Sequence, residues 1–222
     1  MTPGTGRSAL RDQGPLVTAG PSWEQARAAA ILLHGRGGTA RGILSLADAV
    51  DRPEVAWVAP EANGNAWYPN SFLAPLSDNE PWLSAALERV GGLVEQLELA
   101  GVPAERVLLI GFSQGGCLAL EFAARNARRY GGIAGLAAGL IGAPGTPRDY
   151  PGSLAGTPIF LGCSDRDPFV PLDRVEETAR ALARMEANVT KRIYSGLGHT
   201  VNDDEIAHVR AIVDEAVGKE DR

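Results

Sequence analysis

The chain has 222 residues, enough for one domain with a sizeable core and no need of a disulfide or metal staple. With 45% hydrophobic and 22% charged residues it is not a disordered chain, and a net charge of −6 without a basic block excludes the electrostatics of nucleic-acid binding. Two cysteines make neither a disulfide framework nor a metal cluster, and no apolar run approaches the ~20 residues of a membrane span.

Residues 1–20 are rich in Gly, Pro and Arg and carry no apolar signal segment, so a loosely packed N-terminal segment is expected before a single domain over residues 21–222 of a cytoplasmic protein. A first apolar run, Ala29–Leu33, reads as a strand, Thr39–Val50 as a helix and Val55–Ala59 as a second strand. Glu61 to Pro81 has no clear period and reads as a long functional loop. Behind Pro81, the spacing of Leu83, Leu87, Val90, Val94 and Leu97 predicts an amphipathic helix. Arg106–Ile110 is a strand, followed by a helix with the stripe Leu118, Ala119, Phe122 and Ala123, and with Glu121 and Arg125 paired on its exposed side. Ile133–Ala138, Pro158–Cys163 and Val189–Tyr194 are further strands, and Val175, Ala179, Leu182 and Met185 mark a helix before the last of them. Asn202 and Glu205 have the spacing of a capping box ahead of the stripe Ile206, Val209, Val213 and Val217. Strands alternating with helices predict an α/β fold: a mainly parallel central sheet, helices on both faces, and ligands outside the carboxyl ends of the strands.

Three of those strand ends carry reactive residues. Gly111-Phe112-Ser113-Gln114-Gly115 matches G-x-S-x-G between a strand and a helix, where glycines permit a turn tight enough to present the serine oxygen. The alternative is a Gly-rich turn with an incidental serine. A nucleophilic serine needs a base, and the chain has three histidines. His208 lies off the stripe of the last helix and reads as a solvated residue; His34 follows the first strand; His199, on a short loop after the last strand, is the best placed. A carboxylate must orient that ring, and Asp165 and Asp167 compete for the role, with Pro168 favouring Asp167 by stiffening its loop. The order Ser113, Asp167, His199 is that of the α/β-hydrolases. Backbone N–H groups of Gln114 and of Arg36, in the loop His34-Gly35-Arg36-Gly37-Gly38, would supply an oxyanion hole.

The segments Leu32–Gly38, Gly111–Gly116, Asp165–Pro171 and Gly198-His199 together resemble the phospholipase/carboxylesterase family of α/β-hydrolases, which includes the acyl-protein thioesterases and small bacterial carboxylesterases. The resemblance spans about Ile31 to Val217 and implies an α/β-hydrolase fold, Asp167 as the triad acid, and backbone donors at Arg36 and Gln114. In acyl-protein thioesterases the position of Arg36 is commonly apolar and lines the acyl path; an arginine there departs from that pattern and weighs against a long-chain lipid.

Trp67, Tyr68, Phe72 and Leu73 are expected to wall an apolar pocket over Ser113, with a second rim from Gly142–Tyr150. There is no large lid insertion, so a shallow site for small to medium esters is expected, with thioesters and lysophospholipids as alternative substrates. Cys117 and Cys163 read as small buried hydrophobes. No metal or organic cofactor is implied. The expected partner is a small-molecule ester, without nucleic acid or stable membrane anchoring, and a homodimer is an allowed assembly.

Overall fold

The computed structural model of the chain describes residues 14–218. Its elements in chain order are β1 (Leu16–Ala19), β2 (Ala28–Leu33), α1 (Ala40–Ile43), α2 (Ser45–Val50), β3 (Val55–Pro60), α3 (Trp82–Leu99), β4 (Val107–Phe112), α4 (Gln114–Arg125), β5 (Gly132–Leu136), β6 (Pro158–Ser164), α5 (Leu172–Arg184), β7 (Asn188–Tyr194) and α6 (Asp203–Val217). The strands form one sheet in the order β1-β3-β2-β4-β5-β6-β7. Only β1 runs antiparallel; every other neighbouring pair is parallel.

Alternation along the central strands divides the core. Ala29, Ile31 and Leu33 face one layer, built with α3, α4 and α5, while Ala28, Ala30 and Leu32 face the other, built with α1, α2 and α6. Strands covered on both faces must be apolar at every position, which is why β2, β3, β5 and β6 are buried throughout. In α3 the predicted residues Leu83, Leu87, Val90, Val94 and Leu97 are all buried. Burying each such side chain stabilises the fold by about 1.5–3 kcal/mol.

The structure differs from the sequence reading in several places. Residues 1–13 of the expected loose segment lie outside the described residues, but Leu16–Ala19 within it pairs with β3 from Trp57 to Pro60. The helix expected over Thr39–Val50 is divided at Leu44: the Thr39 hydroxyl caps Gly42 N–H, and the Ser45 hydroxyl donates to Gly42 O, diverting that carbonyl. The strand expected to reach Ala138 ends at Leu136, because Ala137 takes a positive φ of 48° and donates its N–H to Gly162 O. Glu121 is buried rather than exposed; it accepts from Arg125 Nε, Ile141 N and the Tyr150 hydroxyl. His208 is only partly solvated, its ring stacked on Phe160 at a centroid distance of 4.5 Å. Among the described residues no helix is long and apolar enough to cross a membrane.

Candidate active site

The turn from β4 into α4 fixes Ser113. Its backbone sits at φ 53° and ψ −121°, outside the regions a serine ordinarily adopts. Ser113 N–H donates to Leu136 O on β5, and Cys117 N–H donates to Ser113 O, so the strained residue is held from both sides. The flanking glycines are steric requirements: a Cβ on Gly111 would lie 2.4 Å from Gly115 C, and one on Gly115 only 2.1 Å from Leu33 O. Ser113 thus stands at the N-terminus of the 12-residue helix α4, where unpaired N–H groups and the helix dipole favour negative charge.

Two loops bring the other groups to it. His199 follows β7, with Nε2 2.9 Å from Ser113 Oγ and Nδ1 2.7 Å from Asp167 Oδ2. A carboxylate only accepts, so Nδ1 donates its hydrogen, which leaves Nε2 of the neutral ring to accept from the serine hydroxyl. The Asp167 side chain is fully buried, and its Oδ1 accepts from Phe169 N–H at 2.8 Å and Val170 N–H at 3.0 Å. Phe112 and Phe169 each place a ring centroid 4.9 Å from that of His199.

Asp165, the competing carboxylate, has another role. It accepts from Gly196 N–H at 2.7 Å and from the Ser195 hydroxyl at 3.1 Å, and the Gly196 bond holds its carboxyl below the usual range. Buried Ser164 adds a third tie, its Oγ accepting from Gly198 N–H at 3.0 Å. The loop that carries His199 is therefore sewn to the end of β6.

The loop after β2 abuts the serine from the opposite side, and a Cβ on Gly35 would sit 3.3 Å from Ser113 Cβ. The backbone N–H groups of Arg36 and Gln114 find no acceptor among the described residues. His34 is buried and structural: Nε2 accepts from Ala62 N–H, Nδ1 lies 2.8 Å from Gly35 O, and burial lowers its pKa, keeping the ring neutral.

A cavity of about 440 Å³ opens over Ser113 and His199. Of the four residues expected to wall it, Tyr68 and Phe72 do. Trp67 and Leu73 do not: the Trp67 indole N–H donates to His34 O and its ring packs on His34, while Leu73 packs against the core. Gly142–Tyr150 is not a rim either. It backs the wall, Gly142 N–H donating to Phe72 O and Arg148 bonding Ile141 O and Glu177. The sequence reading missed Asn70, Ser71, Phe112, Cys117, Phe169 and Val170 as lining residues. Phe112 and Phe169 were legible as neighbours of Ser113 and Asp167 in the chain; the others depend on how the loop folds back. Burial pushes the Cys117 and Cys163 thiols up to about 12, so neither is a thiolate. Among the described residues no cluster of three or more His, Cys, Asp or Glu side chains is arranged to hold a metal ion.

The family described as Phospholipase/Carboxylesterase matches residues 18–216. A solved phospholipase/carboxylesterase from Dyadobacter fermentans is 43% identical, with a TM-score of 0.87 over 91% of this chain and 97% of its own. Acyl-protein thioesterase 1 of Gibberella zeae is 28% identical over 90% of this chain and 94% of its own. A carboxylesterase of Bacillus cereus, 21% identical, shares the fold with a TM-score of 0.72 over 93% of this chain and 96% of its own. On the family match across nearly all of the described residues, this chain belongs to the phospholipase/carboxylesterase family of α/β-hydrolases.

Proposed function

We propose that the chain is a serine carboxylesterase acting on small to medium carboxylic esters through an acyl-enzyme. One observation carries the reading: Asp167, His199 and Ser113 form a continuous hydrogen-bonded chain at 2.7 and 2.9 Å that opens onto the cavity. Ser113 Oγ attacks the ester carbonyl carbon while His199 Nε2 takes its proton, and Asp167 holds the ring in the required tautomer. The Arg36 and Gln114 N–H groups receive the oxyanion, an interaction typically worth about 3 kcal/mol per donor. Collapse of the tetrahedral intermediate breaks the bond to the alcohol, which leaves with the proton from His199. Water then attacks the acyl-enzyme, giving its proton to His199; the acid departs and Ser113 regains its hydrogen.

The same groups serve a thioester equally well in principle, and the 28% identical acyl-protein thioesterase favours that second reading. A cavity of about 440 Å³ with an arginine at its wall supports the smaller, more polar substrate. The test is a panel of short p-nitrophenyl esters, acyl-thioesters and lysolipids, with Ser113→Ala as control. Short esters should give the highest kcat/KM, and the variant should be inert while folded. Turnover retained by Ser113→Ala ends the serine mechanism, and a higher kcat/KM on thioesters or lysolipids ends the carboxylesterase assignment.

A further inference from the structure

Arg36 enters the reading above only through its backbone N–H, yet it lines the cavity and its guanidinium is bound to the loop of the cavity wall. Its Nη2 donates to Tyr68 O at 2.8 Å and to Asn70 O at 2.7 Å, which holds the guanidinium against the loop that forms the cavity wall. Those bonds use both hydrogens of Nη2 and leave the donors on Nε and Nη1 without an acceptor among the described residues. Among the described residues no carboxylate pairs with Arg36, whereas Arg148 and Arg174 both pair with Glu177. Among the described residues no Asp or Glu lines the cavity.

In a chain of net charge −6, the residues lining the substrate cavity thus include an arginine and no acidic side chain, the Asp167 carboxylate being buried behind His199 and bonded to it. A concave site lined by one sign of charge concentrates ligands of the other sign. Ser71 adds a neutral donor at the same wall: its Oγ accepts from Leu73 N–H, and its hydroxyl hydrogen finds no acceptor among the described residues. Of the other polar side chains there, the Tyr68 hydroxyl is buried without a hydrogen-bond partner, and two amides are engaged with backbone. Gln114 bridges Trp67 N and Tyr68 O, and Asn70 Nδ2 donates to Asp78 O.

We propose that Arg36 is a specificity-determining residue whose guanidinium receives a carboxylate of the substrate, so that the preferred esters carry a free carboxylate a few atoms from the scissile carbonyl. The proposal rests on the esterase reading and selects among its substrates. Arginine keeps its charge at any working pH and forms charge-assisted bonds to carboxylates. Because Arg36 is exposed, the gain is modest and sensitive to salt.

The experiment compares isosteric pairs that differ only in that charge: 3-acetoxybenzoate against 3-acetoxybenzamide, and the mono-4-nitrophenyl ester of adipate against its adipamide counterpart. Each rate is normalised to hydroxide-catalysed hydrolysis, which removes leaving-group effects. In the wild type, kcat/KM for the anionic member of at least one pair should be higher by about tenfold, and the ratio should contract toward one in ~1 M NaCl. In Arg36→Met the ratio itself should fall to about one, whatever happens to the absolute rates. A wild-type ratio near one in both pairs, or a preference that survives in Arg36→Met, overturns the proposal while leaving the esterase reading intact. Failure to hydrolyse any of the four esters overturns both.

Discussion

The two sides of the cavity are built on opposite plans. On the side of His199, side chains are fixed by other groups with little freedom left: Asp167 accepts from His199, Phe169 N and Val170 N, and Ser164 and Asp165 pin the loop just before the imidazole. On the side of Tyr68 and Phe72 it is the backbone that is fixed. Tyr68 O accepts from both Arg36 and Gln114, and Asn79 takes the N–H of Asn70 and donates to Ser71 O. The side chains there are held by packing rather than by hydrogen bonds: Tyr68 and Phe72 are buried in the core, and the Tyr68 hydroxyl has no hydrogen-bond partner. The contrast teaches that the reacting groups are over-determined by hydrogen bonds, while the wall that meets the substrate is a hydrogen-bonded backbone frame faced by packed side chains.

If that contrast is right, substitutions should grade in effect across the cavity. Ser113→Ala should lower kcat by about 10⁵-fold or more and abolish fluorophosphonate labelling, with an unchanged melting temperature. Asp167→Asn should cost about 10⁴-fold in kcat, since the amide no longer enforces the tautomer, and a loss below tenfold would break the argument for that side. Ser164→Ala, which removes the tie to Gly198 N–H, should lower kcat roughly tenfold with little change in KM, read from initial rates on a short ester. An effect on KM alone would place Ser164 with the framing residues instead.

Glu205 gives a stability test on the same side. It is buried with Oε1 unpartnered, Oε2 accepts from Asn202 N–H in the capping box, and burial raises its carboxyl to about 7. The folded state therefore holds this proton more tightly than the unfolded chain, and its contribution is favourable at low pH and lost as pH rises through about 7. Glu205→Gln mimics the protonated form, so thermal melts should show the variant more stable than wild type at pH 8 and the two converging near pH 5. A constant gap would contradict the titration. The smallest effect belongs to Tyr68→Phe: it removes a hydroxyl with no partner, so kcat should hold and the melting temperature should stay level or rise slightly.

Much of this was readable in the sequence because the physics is local. Strands covered on both faces leave continuous apolar runs such as Ala29–Leu33 and Pro158–Cys163, and the nucleophile turn leaves its glycines. Strand β1 was not readable, being four residues long, mostly exposed, with Val17 as its one side chain packed on the core, and paired with a strand some forty positions away. The wall of the cavity was only half readable. Trp67 and Tyr68 are adjacent and both aromatic, yet one anchors the loop through His34 and the other faces the cavity, a distinction set by Gln114 and Arg36 from elsewhere in the chain. The burial of Glu121 likewise depends on Ile141 and Tyr150, which no helical spacing reveals.

The way Ser113 is held has a consequence for what can stand in its place. Its unusual backbone is maintained by Leu136 O, by Cys117 N–H and by the close approach of Gly111 and Gly115, none of which involves the hydroxyl. The scaffold is therefore indifferent to the identity of the attacking atom, and a thiol or a bare methyl group can occupy the same perch without disturbing its surroundings. The methyl replacement would make the protein a trap that retains uncleaved ligands, and the thiol one that retains the acyl group as a thioester, two direct routes to seeing what it accepts.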